Sequence, residues 1–195
     1  MKRLLIAGTA ALALTACGAS ETESLAAEAA KVVDEAVTPK FAPDSPAALG
    51  SAWLAENAKK EDVVTTDSGL QYKVVQAGLE NGATAAPGQS IAAHYHGMFI
   101  DGEVFDSSYN RGQPLIGPSN GFITGWNEAL GEMKVCEART LYINSDLAYG
   151  DSGRGGIPGG ATLLFHMQLL AVNGSDEGIA YECPQEKILA NPEAY

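Results

Sequence analysis

The passage Ile91-Ala92-Ala93-His94-Tyr95-His96-Gly97-Met98-Phe99-Ile100, then Asp101-Gly102, then Glu103-Val104-Phe105-Asp106-Ser107-Ser108, organises the reading of this 195-residue chain. Ile91, Ala93, Tyr95 and Phe99 fall on one face at alternate positions, the period of a half-buried strand. Asp101-Gly102 is a strong hairpin turn signal, leading to Val104 and Phe105. Working outward, Leu70–Val75 reads as a strand bounded by Ser68-Gly69 and Gly78. Arg139–Ser145 gives another, with Leu141 and Ile143 inward. Ala161–Leu170 gives a fourth, with Leu163, Phe165, Met167 and Leu169 alternating. Between them Gly125–Leu130 predicts a short helix closed by Gly131. Strands with one inserted helix indicate an α+β sheet that wraps a helix.

The totals fit such a body. Hydrophobic residues make up 46% of the chain and charged residues 18%, enough apolar side chain for a core. Of 22 glycines, 17 lie between Gly69 and Gly160, marking a turn-rich sheet domain. The formal charge is -12, which would be repelled by phosphate backbones and speaks against nucleic-acid binding. No apolar run of about 18 residues lies inside the body, which excludes a multi-span membrane protein. Three cysteines exclude a disulfide-dense miniature scaffold.

The ends read differently. Lys2 and Arg3, the apolar run Leu4–Ala13 and the small residues before Cys17 form a bacterial secretory signal over residues 1–16. Leu14-Thr15-Ala16-Cys17 resembles the lipobox of bacterial lipoproteins, in which Cys17 would be lipidated and become the mature first residue; the alternative is ordinary secretion with a chance cysteine. Gly18 in place of an aspartate gives no inner-membrane retention signal, so the expected place is the outer membrane, facing the periplasm. Residues 17–45, with Pro39 and Pro43, read as a flexible tether, holding at most transient helix between Leu25 and Val37. Ser45-Pro46 supplies an N-cap and a first-turn proline. A short helix is expected within 46–62, its apolar edge of Leu49, Trp53 and Leu54 docked on the domain at 63–172. Residues 173–195 read as a tail. Cys136 and Cys183 could pair in an oxidising compartment, or remain free thiols.

Several signals are set aside. His94 and His96 lie two apart, but no third ligand is evident and His166 is on another strand; solvated sheet-face histidines are the simpler account than a metal site. Gly153, Gly155, Gly156, Gly159 and Gly160 fit no phosphate-loop spacing and read as a flexible flap.

Taken in order, Tyr95-His96-Gly97, Asp101–Ser108, Gly125-Trp126, Ala148-Tyr149-Gly150, Ile157-Pro158 and Ala161–Phe165 closely resemble the FKBP-type peptidyl-prolyl cis-trans isomerases. The likeness covers about residues 63–172. Leu54–Asn57 through Gly69–Tyr72 look like the exported branch that includes macrophage infectivity potentiators. The resemblance implies a strongly curved antiparallel sheet around one short helix, with a hydrophobic cleft between, and an isomerase of Xaa-Pro bonds that uses no cofactor and no metal. It implies catalytic roles for Asp106, Tyr149 and Tyr95. Phe105, Phe122, Ile123, Trp126, Ile157 and Phe165 would bind substrate, with Trp126 as the floor and Arg111 as the partner of Asp106. Proline-containing envelope proteins are the expected clients, and macrolide-type inhibitors would fit the same cleft. The short, proline-broken tether leaves little length for the helical dimerisation arm of that branch, so a monomer is expected.

The departures sit at the rim. Leu115 stands where many relatives carry an aromatic, Leu147 replaces a frequent tyrosine, and Pro114–Gly125 and Gly150–Ala161 are shortened. They leave open a rival of another class: a non-catalytic chaperone or binding module that holds proline-containing segments in the same cleft.

Overall fold

Alternation along Ser90–Phe99 produces the central strand of the domain. In the computed structural model, which describes residues 44–173 and Cys183, the strands run β1 (Val64–Thr65), β2 (Gln71–Gln76), β3 (Ser90–Phe99), β4 (Val104–Ser107), β5 (Leu115–Pro118), β6 (Ala138–Ile143) and β7 (Leu163–Val172). The sheet order is β1-β2-β6-β7-β3-β4, with β5 also on β3. Every pairing is antiparallel. One side of β3 carries the whole length of β7. The other side is shared, β5 against Ser90–Ala93 and β4 against His96–Met98.

Two α-helices, α1 (Pro46–Asn57) and α2 (Thr124–Glu132), and two single 3-10 turns at Ser145–Leu147 and Gly150–Ser152 complete the described elements. The inner face of the sheet presents Ile91, Ala93, Tyr95, Leu141, Ile143, Leu163, Phe165, Met167 and Leu169 to Trp126, Ala129, Leu130 and Met133, and all of these are buried. Gly125 lets the helix come this close, since a Cβ there would lie 2.8 Å from Ile143 Cγ2. This is the α+β sheet wrapped on a helix that the alternation implies.

α1 covers the opposite face. Ser45 caps it by accepting from the Ala48 amide at 3.2 Å. Trp53 and Leu54 pack on Met98, Tyr142 and Leu164, so the helix docks on the domain that follows it. Gly50 faces Thr162, whose Oγ1 would lie 2.2 Å from an added Cβ. Buried Asn57 donates to Gln71 Oε1, and Gln71 donates to the Leu54 carbonyl, both at 3.0 Å.

Several expectations are corrected. Leu49 is not part of the docking edge: it is 50% exposed, and Ala47, Gly50, Leu54 and Asn57 form the buried face. Gly131 lies inside α2 rather than closing it; the helix ends as Met133 turns extended. β5 went unread, since Leu115–Pro118 is too short and too polar-flanked to show a period. The histidines are less open than a solvated face: His94 and His96 are half-buried and His166 is buried. His94 stacks on Tyr109 with centroids 4.5 Å apart and shares a hydrogen bond with Ser108 Oγ at 2.9 Å. His96 shares a hydrogen bond with Ser107 Oγ at 3.1 Å, and His166 is fully buried against Thr140 Oγ1 at 2.8 Å. Burial pushes the His94 and His96 rings below their ordinary value and the Tyr109 phenol up to about 12.

Cys136 and Cys183 form a disulfide, with Cα atoms 5.1 Å apart, and both are buried beside Val135, Leu170 and Val172. The segment after β7 is thus tied back to the domain at residue 183. The leader with Cys17, the tether and the rest of the tail lie outside the described residues.

Candidate active site

The inner face of β3, the N-terminal end of α2 and the turns after β6 surround a cleft of about 430 Å³. Its floor is Trp126 in the first turn of α2, only 4% exposed; its Nε1 has no protein partner among the described residues. Around the indole, Tyr95 and Phe165 stand edge-on, with centroids at 4.9 and 5.1 Å, and Phe122 is tilted at 5.4 Å. Phe105 meets Phe165 edge-to-face at 5.6 Å. These are the arrangements that aromatic quadrupoles favour, and they hold the walls apart without polar fastenings.

One wall is charged. The Tyr95 hydroxyl donates to Asp106 Oδ2, and Arg111 Nη1 donates to Asp106 Oδ1 as a salt bridge. Arg111 Nη2 also donates to the Tyr95 hydroxyl at 2.8 Å. Burial, with the Asp106 carboxylate adding to it, raises the Tyr95 phenol above its ordinary value and keeps it a donor. Opposite, Tyr149 lines the rim, and its hydroxyl makes no hydrogen bond among the described residues.

Tyr95, Phe105, Asp106, Phe122, Ile123, Trp126, Tyr149 and Phe165 all line this cleft, so eight of the expected positions converge. Ile157 does not line it. It packs against the core, and its backbone exchanges two hydrogen bonds with Arg154, closing a tight hairpin. The stretch expected to be a flap is therefore a closed turn. Arg111 is no wall residue either; it touches the cleft through Asp106 and Tyr95.

Leu115 lines the wall as an aliphatic surface, and Thr124, Ala148 and Arg154 join the lining unannounced. Asn127 was also missed. Its Oδ1 accepts from the Phe122 amide at 3.0 Å, and its Nδ2 donates to the Phe122 carbonyl at 3.2 Å, which fixes Phe122 over the floor. The available signal was an asparagine in the first turn of a helix whose N-cap, Ile123, offers no side-chain acceptor.

Comparison with known proteins fits this geometry. Residues 81–170 match the FKBP-type peptidyl-prolyl cis-trans isomerase family, and residues 6–74 match the domain amino terminal to FKBP-type peptidyl-prolyl isomerase. The crystal structure of FkpA from Escherichia coli superposes with a TM-score of 0.64 and 37% identity, covering 81% of this chain and 74% of that one. The chain belongs to the FKBP-type peptidyl-prolyl cis-trans isomerase family. AtFKBP13, another FKBP structure, gives a TM-score of 0.53 at 38% identity over 56% of this chain and 98% of its own. Among curated FKBP relatives, the FKBP-type 22 kDa peptidyl-prolyl cis-trans isomerase of Escherichia coli is 48% identical over 127 residues, 65% of this chain and 61% of that protein. The peptidyl-prolyl cis-trans isomerase Mip of Coxiella burnetii is 42% identical over 122 residues, 62% and 52%. The chain thus spans about half to three fifths of the length of these curated relatives.

Proposed function

We propose that this protein is a peptidyl-prolyl cis-trans isomerase that accelerates rotation about Xaa-Pro bonds in polypeptides. The observation that carries this reading is the open aromatic cleft above Trp126, lined by Tyr149 and flanked by the Tyr95–Asp106–Arg111 group.

The barrier to be lowered is about 20 kcal/mol, because twisting the imide breaks its resonance. The twisted imide has lost the charge separation of the planar one. A cleft that replaces water with aromatic surface therefore favours the twisted form over the ground state, and only such differential binding accelerates the step. Trp126, Phe122, Ile123, Phe105 and Phe165 grip the pyrrolidine ring and exclude water. Tyr149 donates to a substrate carbonyl. Asp106, held by Arg111 and Tyr95, faces the rotating carbonyl with a fixed field. No bond to the enzyme forms and no proton moves.

The substrates in this reading are proline-containing segments of envelope proteins, met by a chain that is exported, cut before Cys17 and lipid-anchored, facing the periplasm. Support comes from the Lys2-Arg3 start, the apolar Leu4–Ala13 run and Leu14-Thr15-Ala16-Cys17. Among the described residues no helix is long and apolar enough to cross a membrane. The isomerase unit is 63–172, with 46–62 docked on it, acting as a monomer. Macrolides that mimic a prolyl ring would compete for the Trp126 floor.

Proline-directed exchange measured by NMR on a short Ala-Leu-Pro-Phe peptide tests the reading. Acceleration at catalytic protein concentration is expected. Binding of unfolded clients without acceleration would replace the enzyme with the chaperone module.

A further inference from the structure

We infer that Arg154 gives this cleft a charge preference, selecting proline segments that carry a carboxylate on a residue next to the proline. The inference rests on the isomerase reading and refines its substrate class.

Among the described residues, two charged side chains line the cleft, Asp106 and Arg154. Asp106 is neutralised by its salt bridge to Arg111. Arg154 makes no salt bridge within the described residues; its guanidinium lies 6.0 Å from the centre of the Tyr149 ring. It is thus a cation at the cleft that, among the described residues, has no salt-bridge partner and lies over the Tyr149 ring. Arg154 lines the same cleft as Trp126, and a residue adjacent to a proline bound there is one Cα step of about 3.8 Å away, so the contact inferred is with a glutamate at that step.

The position of Arg154 is built in. Gly153 donates to the Tyr149 carbonyl at 3.2 Å, Arg154 and Ile157 exchange backbone hydrogen bonds at 3.0 and 2.9 Å, and Gly160 donates to the Gly150 carbonyl at 2.9 Å. Gly153 has φ 66°, and a Cβ there would lie 2.3 Å from the Ile157 carbonyl; at Gly159 it would lie 2.0 Å from that of Asp151. The backbone therefore folds onto itself too tightly for any other residue, and the arginine stem starts at a fixed distance from Tyr149. A cation held in this way acts on the bound peptide locally, even though the chain as a whole carries -12 and repels acidic peptides at long range.

The test compares kcat/KM of the full-length protein on a peptide set with Glu, Gln, Leu or Lys placed before or after the proline. It is repeated with R154Q and R154E. At one flanking position Glu is expected to exceed Gln, and Gln to exceed Lys, by about two- to fivefold each, the factor of an exposed ion pair. R154Q should flatten the series and R154E should invert it. Wild-type turnover of the Gln and Leu peptides with no charge dependence at either position overturns the inference alone, as does a Glu preference that survives in R154Q. No acceleration of the uncharged peptides overturns the isomerase reading and this inference with it.

Discussion

Gly97 on β3 lies directly under the ring of Phe165 on β7: an added Cβ would stand 2.8 Å from Phe165 Cε1 and 2.8 Å from Phe105 Cζ. Both rings are cleft walls, so the missing side chain is what lets the aromatic lining close over the strand. Gly97→Ala forces one ring off its position. The expected cost is about 1–3 kcal/mol, the range for overpacking a filled site. A urea titration followed by tryptophan fluorescence measures it, and isomerase turnover should fall with it. An unchanged midpoint would mean that the rings move aside freely.

The polar wall predicts a division of labour. Asp106→Ala removes the acceptor of the Tyr95 hydroxyl and the counter-ion of Arg111 together. Tyr149→Phe removes one hydroxyl that makes no hydrogen bond among the described residues, and no packing. Both should lower kcat/KM, by about tenfold or more for Asp106→Ala and less for Tyr149→Phe, with the thermal midpoint of Tyr149→Phe unmoved. Undiminished turnover in both variants would strip these residues of their roles.

The floor, walls and polar rim were legible because the ordered motifs resemble the FKBP family, whose cleft positions these residues match. Trp126, Phe105 and Phe165 could be assigned to the cleft without coordinates. Ile157 could not be kept there, because its direction depends on how five neighbouring glycines close a turn, and glycine-rich backbone carries no period to read. Arg154 enters the lining through that same turn. Asn127 acts through bonds to backbone atoms of Phe122, which leave no mark on the hydrophobic pattern. The histidines were misread for a related reason. β3 alternates with His94 and His96 outward, but the neighbouring Ser107, Ser108 and Tyr109 pack on that face and half-bury it.

That burial has a pH consequence. His94 and His96 are held below their ordinary value near 6.5 by desolvation, so below that pH the unfolded chain binds protons that the folded protein refuses. Their contribution to stability is complete above about pH 6.5 and is lost as the pH falls through the depressed values. The urea midpoint of the wild type should drop between pH 7 and pH 5 relative to that of the His94→Gln/His96→Gln variant. Parallel profiles for the two proteins would place the titration elsewhere.

The last prediction concerns the bond from Cys136 to Cys183. It closes a loop across 47 positions that includes β6, the rim turns and β7, and it ties the chain beyond β7 to the turn before β6. Cys136 takes φ 69°, a left-handed conformation rare for a side-chain-bearing residue, and its amide donates to the Leu169 carbonyl at 2.7 Å. The backbone there is set by the sheet, and the cross-link acts on the unfolded chain. For a loop of this length the chain-entropy account gives about 4 kcal/mol as a ceiling, and native disulfides return about 2–5 kcal/mol on removal. Cys183→Ser, or reduction of the wild type, should lower stability by about 2–4 kcal/mol. Turnover at 20 °C should persist, because no cleft-lining residue touches the bond. Equal urea midpoints with and without reductant would show that the link constrains nothing. Loss of turnover with the fold intact would show that the segment after β7 reaches the site.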